Sequence, residues 1–398
     1  MMGGYFHAYL RNASIILGGY QHKEPFAQYL KNYFRQEKKF GSRDRKFVSD
    51  LCYGYLRLGQ AVDKLSLEDS IIIGFFLTHE SDNGFLDAIY PELANSFSTT
   101  MQHKINVVKG VFPEFDPHSI FAFSSELSKS IDNTEWNLKH LTKPAFFLRI
   151  RPGKREKVLQ GLNNAGIAFE ELNKDAIRLE KNIDLQHQVQ IDRDCVVQDI
   201  GSQHTAMLLD HLPTSIHSFW DACAGSGGKS IMVHDKCKNA KIYASDIREE
   251  ILDELRRRFS LAGMKAESIF CNDLSHPMAE QVIRSNLPTG GVDLIIADVP
   301  CTGSGTWRRT PEWLTGFEVA SIETYSHLQK AILVKLISHL KQGGFLLYIT
   351  CSVFEKENEQ VVDYVLKQFP VKIVGQMHLF GEEHGGDHLF AALFTSAV

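Results

Sequence analysis

Two cysteines stand where covalent chemistry is possible. Cys301 follows the run LIIADVP (294–300) and precedes Thr302-Gly303-Ser304-Gly305; Cys351 follows FLLYIT (345–350) and precedes Ser352. Short apolar runs of this kind read as buried strands, so each cysteine sits at a strand's carboxyl end. If the fourth and fifth strands are neighbours, their backbones lie ~4.8 Å apart. Both thiols then face one pocket, beside Asp298. Pro300 and Gly303 build a rigid, exposed loop around Cys301. A helix predicted to begin near Glu355 follows Cys351, and a helix amino terminus favours a thiolate. A redox pair is one reading of the two thiols; a nucleophile with a helper is the other. The second fits a definite chemical problem. Carbon 5 of a pyrimidine is a poor nucleophile until a thiolate adds to carbon 6. A carboxylic acid near ring nitrogen 3 stabilises the adduct. The proton on carbon 5 must then leave and the thiolate be expelled, which a second cysteine can assist.

A glycine loop supplies the other half of a site. FWDACAGSGGKS (219–230) runs from strand into helix, and Gly225, Gly227 and Gly228 allow a tight turn and a close backbone approach. A Walker loop requires a glycine where Cys223 stands. A dinucleotide G-x-G-x-x-G fails at Ser230. The acidic-start loop D-x-C-A-x-x-G-G-K of S-adenosylmethionine enzymes is the third reading, and a plain strand-to-helix turn is the alternative to all three. Asp246 ends the next strand, where an acid can accept from both hydroxyls of a ribose. Asn272 and Asp273 end the third, where a carboxylate can reach an adenine amine. Taken singly these acids are more often caps or turn formers; their position at strand ends, the ligand edge of doubly wound sheets, gives them value.

The elements that must position these residues alternate. Strands are predicted over 217–221, 241–245, 267–271, 292–297, 345–350, 371–374 and 389–394. Helices are predicted over 229–236, 249–262, 320–341 and 356–369. That pattern predicts a parallel, doubly wound α/β sheet. Before it, 145–151, 167–172 and 176–179 read as strands and 154–165 as a helix, a small α+β subdomain. Residues 1–135 read as helical, with Leu51, Tyr55, Leu58 and Val62, then Leu86, Ile89 and Leu93, at helical spacing. Asp82-Asn83-Gly84 is their clearest turn.

Composition sets the bounds. The chain has 398 residues, 43% hydrophobic and 23% charged, which excludes a disordered, collagenous or disulfide-scaffold protein. The longest apolar run, 71–77, is too short to span a membrane. The opening MMGGYFHAYLRN lacks a charged-then-apolar leader. Seven cysteines without a C-x-x-C pair predict a reducing, cytoplasmic setting and no metal site. Cys52, Cys195, Cys237 and Cys271 read as small buried hydrophobes, and Cys223 as a backbone contributor. Net charge is −5, yet residues 1–60 carry ten Lys/Arg against four Asp/Glu. Such a stretch is either a phosphate-facing patch, as around 31–46, or a solvated helical face.

Taken together, the residues resemble the RNA (cytosine-5) methyltransferase family of the bacterial Sun/Fmu/RsmB type. The carrying stretches are VQDIGSQ (197–203), DACAGSGGKS (221–230), Asp246, Asp273, DVPCTGSGTWRRTPEW (298–313) and TCSVFEKENE (350–359). The resemblance implies a Rossmann-like methyltransferase domain over 196–398, a small α+β RNA-binding subdomain over 139–195 and a helical NusB-like RNA-binding domain over 1–138. RDRKFVSDLCYGYLR (43–57) carries the last of these. It implies S-adenosyl-L-methionine as cofactor, held by Cys223, Ala224, Gly225, Ser226, Gly227, Gly228, Lys229, Asp246, Asp273 and Asp298. Catalysis would rest on Cys351 as nucleophile, Cys301 as release cysteine and Asp298. DNA cytosine-5 methyltransferases instead attack with the Pro-Cys cysteine, here Cys301; both cysteines, together with Arg308-Arg309 and the ENE run at 357–359, favour the RNA assignment. Arg308, Arg309 and Lys229 would meet RNA, with Trp307 or Trp313 stacking on a base. The expected substrate is small-subunit ribosomal RNA and the expected state a monomer; a transfer RNA enzyme and a non-catalytic assembly factor are the alternatives. Two departures stand out. Ser226 replaces a stiffening proline, and Gly386-Asp387-His388-Leu389-Phe390 replaces the usual Asp-Gly-Phe-Phe, with His388 placed to alter how the last hairpin closes.

Overall fold

The computed structural model describes residues 3–82, 84–97, 100–179, 184–185 and 187–396; the turn residue Asn83 lies outside them. The chain forms two compact units. One joins residues 1–143 to 306–319, the other joins 144–305 to 320–398.

The first unit is helical, as predicted. Its longer helices are Gly3–Gly19, Phe26–Gln36, Ser42–Leu56, Leu67–Thr78 and Met101–Val111. Ser66 caps Leu67–Thr78 by accepting from the Asp69 amide, and Glu68 and Asp69 complement the dipole of the first turn. Residues 70–78 of this helix are all buried, so the apolar run 71–77 forms a core helix. Leu51, Leu58, Val62, Leu86 and Leu93 are buried with it.

The segment 306–319 belongs to this helical unit, a correction to its expected place in the methyltransferase domain. The physical reason is Trp307. Its indole is 1% exposed and packs against Phe121 and Phe123, each at 5.7 Å, and Phe317 at 4.8 Å. An aromatic of that size goes where it is most fully buried.

The second unit opens with strands β1 (Phe146–Ile150), β2 (Phe169–Glu171), β3 (Ala176–Leu179) and β4 (Cys195–Val197), ordered β2-β3-β1-β4 and antiparallel. Val158 and Leu162 of the helix Arg155–Asn164 cover the sheet over Leu148, Ile150, Ile177 and Leu179. β4, at three residues, is too short for its period to show in sequence. Arg149 of β1 and Arg151, just beyond its end, bond to Asp235 of the helix Gly228–Lys236 at 2.8 and 2.7 Å. The α+β part therefore shares one unit with the larger sheet.

That larger sheet has seven strands: β5 (Ser218–Asp221), β6 (Lys241–Asp246), β7 (Ser268–Cys271), β8 (Val292–Asp298), β9 (Leu340–Thr350), β10 (Val371–Phe380) and β11 (His388–Ser396). The order is β10-β11-β9-β8-β5-β6-β7. The doubly wound reading holds, with one amendment. β5 to β9 pair in parallel, but β11 runs antiparallel to both β9 and β10. The short connection 381–387 permits only an antiparallel return. Helices Gly228–Lys236 and Glu249–Ala262 cover one face; Ala279–Asn286, Ala320–Ile337 and Glu359–Gln368 cover the other. The helix predicted over 320–341 stops at Ile337 because β9 begins at Leu340.

Candidate active site

The parallel pairing of β8 with β9 sets Asp298 opposite Ile349, so the strand ends carrying the two cysteines lie side by side. Cys301 Sγ and Cys351 Sγ are 3.3 Å apart. The hydrogen bond with Cys351, and then burial, push the Cys301 thiol well above its ordinary range. Either thiol can be the donor of this contact.

Lys229 Nζ donates to Asp298 Oδ2 at 2.6 Å. Burial works against the Lys229 ammonium, but the Asp298 carboxylate outweighs it and the pKa rises. Cys351 also lies within electrostatic reach of this ammonium, the positive neighbour a thiolate requires.

Glu357 fixes the spacing of the two loops from behind. It is fully buried. Its carboxylate accepts from the Thr302 amide at 2.9 Å, Thr302 Oγ1 at 2.6 Å, Gln329 Nε2 at 2.9 Å and Ser352 Oγ. Gln329 Nε2 donates to Pro300 O as well, at 3.0 Å. One carboxylate thereby ties the residue after Cys301 to the residue after Cys351. Gly305 completes the packing: its amide donates to Cys351 O at 2.9 Å, and a Cβ there would collide with His388 O.

The cysteines open onto a cavity of about 650 Å³. The glycine loop forms one wall, with the Gly227 amide closing a turn onto Ala224 O at 2.9 Å. Gly225 and Gly227 hold φ of 52° and 86°, a left-handed region that disfavours side chains. Asp246, at the end of β6, accepts from the Gly225 amide at 2.8 Å and from Arg248 Nε at 3.0 Å. Burial raises its carboxyl, but these donors outweigh it and the pKa is lowered. Asp273 is lowered by the Ser275 hydroxyl at 2.6 Å.

Of the sequence-predicted residues, Cys223, Ala224, Gly225, Ser226, Gly228, Lys229, Asp246, Asp273, Asp298, Cys301 and Cys351 line this cavity. Gly227 instead caps the helix Gly228–Lys236. Burial raises the Cys223 thiol well above its usual range, consistent with a backbone contribution. Arg308 and Arg309 lie in the helical unit. Arg308 is 2% exposed, which removes it from any solvent-facing RNA surface; Arg309 is exposed. Trp307 is core and Trp313 is 42% exposed. His388 is buried, its Nε2 2.9 Å from His378 Nδ1 and its Nδ1 3.2 Å from Glu382 Oε1.

Sequence reasoning assigned no role to Asp221, Arg248 or Glu357. Asp221 is 1% exposed and lines the cavity; Ser230 Oγ donates to its Oδ2 at 2.5 Å, while Oδ1 has no hydrogen-bond partner among the described residues. Burial raises its carboxyl to about 7. Its place opening the glycine loop was the available signal. Among the described residues no group of His, Cys, Asp or Glu is arranged to hold a metal ion, and no helix is long and apolar enough to cross a membrane.

Residues 206–389 match the family described as 16S rRNA methyltransferase RsmB/F. Ribosomal RNA small subunit methyltransferase B of Pasteurella multocida is 30% identical over 64% of this chain and 60% of its own length, under two thirds. Its counterpart in Proteus mirabilis is 27% identical over 90% of this chain and 92% of its own. A 28S rRNA (cytosine-C(5))-methyltransferase of Mus musculus is 33% identical over 41% of this chain and 20% of its own. The solved structure of PH0851 has a TM-score of 0.68 at 19% identity, covering 98% of both chains. A methyltransferase homolog protein from Pyrococcus horikoshii has a TM-score of 0.54 at 23% identity, over 66% of this chain and 91% of that one. At these identities the two structures speak for the fold.

Proposed function

We propose that this chain, whose residues 206–389 match the RsmB/F family of 16S rRNA methyltransferases, belongs to that family and methylates carbon 5 of a cytosine in small-subunit ribosomal RNA with S-adenosyl-L-methionine as donor. The observation that carries the reading is the 3.3 Å approach of Cys301 and Cys351 at the mouth of a cavity lined by Lys229 and Asp298.

The cavity fits that cofactor. Asp221 Oδ1, buried and without a hydrogen-bond partner among the described residues, suits a cationic group such as the donor's amino group. Asp246 and Asp273 at neighbouring strand ends suit ribose and adenine groups, and the turn at 225–228 admits close backbone approach. Bound there, S-adenosyl-L-methionine supplies an electrophilic methyl group.

The protein's part is to make carbon 5 nucleophilic. Cys351 Sγ forms a bond to carbon 6, and the carbon 5–carbon 6 electron pair moves onto carbon 5. Asp298, held by Lys229, faces the nitrogen 3 side of the ring. After methylation the carbon 5 proton leaves to a base on the Cys301 side. Its electron pair restores the double bond, and the carbon 6–sulfur bond breaks to return the Cys351 thiolate. Cys301, its sulfur 3.3 Å from that of Cys351, is placed to assist this release.

RNA would be held by exposed cations. Lys31, Arg35, Lys38, Lys39, Arg43, Arg45 and Lys46 of the helical unit are all exposed, and phosphate contacts of this kind give salt-dependent affinity. The α+β part, with Arg155 and Arg178 half-exposed on it, would add to them.

The test is a pair of variants assayed with labelled donor on naked small-subunit RNA and on transfer RNA. Cys351→Ala should give no product and no adduct; full turnover removes the nucleophile assignment. Cys301→Ala should accumulate a covalent protein–RNA species, seen as a retarded band on a denaturing gel.

A further inference from the structure

One buried arginine outside the cavity reaches its rim. Arg258, on the helix Glu249–Ala262, is 9% exposed. Its Nη1 donates to Ser226 O at 3.0 Å and to Ser226 Oγ at 2.7 Å. Its Nε and Nη2 donate to Asp192 Oδ1 at 2.9 and 2.8 Å. Asp192 stands in the turn before β4, 1% exposed and in a left-handed conformation with φ of 65°. That turn is fixed in its own right. The Asp192 amide donates to Cys195 O at 2.7 Å, and Asp192 O accepts from Arg151 Nη1 at 2.9 Å. A planar guanidinium with bonds from three nitrogens therefore spans the glycine loop and the small antiparallel sheet.

The loop has need of such a hold. Ser226 lies between two glycines with left-handed φ, and glycine loses the most conformational freedom on ordering. A turn built this way has little stiffness of its own. We propose that Arg258 is a positioning residue for the methyl-donor loop. It holds Ser226 so that the turn at 225–228 is ordered before the donor arrives, with Asp192 as its anchor. The loop is thus fastened to the α+β part as well as to the sheet it grows from. The inference rests on the reading that this cavity binds S-adenosyl-L-methionine.

The experiment is calorimetric titration of the purified full-length chain with S-adenosyl-L-methionine, alongside amide hydrogen exchange of the ligand-free protein. Arg258→Met should weaken donor binding about tenfold, ~1.4 kcal/mol, and speed exchange at 225–228. Ser226→Ala, which deletes one of the two bonds on Ser226 and leaves the Asp192 pair intact, should weaken binding by a smaller factor. It keeps the test available if Arg258→Met does not fold. Ser226→Pro fixes φ through its ring instead of through a hydrogen bond. Added to Arg258→Met, it should restore most of the lost affinity. That rescue is a response that a purely structural ion pair would not give. Unchanged affinity in Ser226→Ala together with Arg258→Met, or failure of the proline to rescue, overturns the inference while leaving the donor site standing. No binding by the parent chain overturns the donor reading, and this inference with it.

Discussion

Replacing Glu357 by Gln tests whether a buried carboxylate sets the distance between the two sulfurs. Two donors, the Thr302 amide and Gln329 Nε2, meet Oε1; two hydroxyls, of Thr302 and Ser352, meet Oε2. Glutamine keeps one acceptor oxygen and turns the other into a donor. The Oε1 pair survives, and the hydroxyls must turn around. Ser352 Oγ is already committed to the Phe354 amide at 3.1 Å. One to two charge-assisted bonds are lost, at ~1.5–3 kcal/mol each. Against this, burial raises the Glu357 carboxyl above its usual range, so a neutral replacement recovers part of the cost. The net is about 2 kcal/mol, or ~4–8 °C in Tm for a unit of this size. The catalytic effect should exceed the stability effect, because a displacement of ~1 Å can cost about a hundredfold in rate. A thermal melt and a single-turnover methyl-transfer assay at saturating donor measure the two separately. Donor affinity should hold within about twofold, since Glu357 does not line the cavity. A lowered Tm with a parental single-turnover rate refutes the reasoning and leaves Glu357 as a stabilising residue alone.

Three further outcomes are expected. Asp221, raised to about 7 by burial, stays protonated in the free protein at pH values where it is ionised when unfolded. Its contribution to stability is therefore present at low pH and lost as pH rises toward 7. That amounts to about 4 kcal/mol by the usual conversion. A cation bound beside it should expel the proton, so donor binding should tighten as pH rises toward 7 and release a proton. Calorimetry in two buffers reads that release, and Asp221→Asn should abolish it. Gly305→Ala should cost ~1–3 kcal/mol and most activity, because its methyl group meets the His388 carbonyl; a melt and the methylation assay check both. Arg309→Ala should weaken RNA binding and lower the salt slope by about 1. Arg308→Ala should lower Tm instead, since Arg308 is buried; filter binding at several salt concentrations and a melt separate the two.

The site was legible in the sequence wherever a strand end announced it. Apolar runs before Asp246, Asp273, Cys301 and Cys351 placed all four at one edge of a sheet, and the β8–β9 pairing brings the cysteines together. What stayed hidden depends on contacts between distant segments. Glu357 binds residues 28 and 55 positions away, and no local period marks it. Asp192 and Arg258 are 66 positions apart. Arg308 misled because it follows Cys301 closely in the chain, and nearness in sequence said nothing about which core would bury Trp307. The direction of β11 was similarly unmarked: its continuous apolar run shows a buried strand but not which way it runs.

The two-part composition of the helical unit governs how the molecule is born. Phe121 and Phe123 lie early in the chain, yet the indole that packs against them is at 307. Between residue 143 and residue 319, at ~5–20 residues per second, roughly 10–35 s of translation elapse while that aromatic socket stands open. The amino-terminal helices cannot finish first and wait. Their packing around that indole is completed only after most of the sheet has emerged.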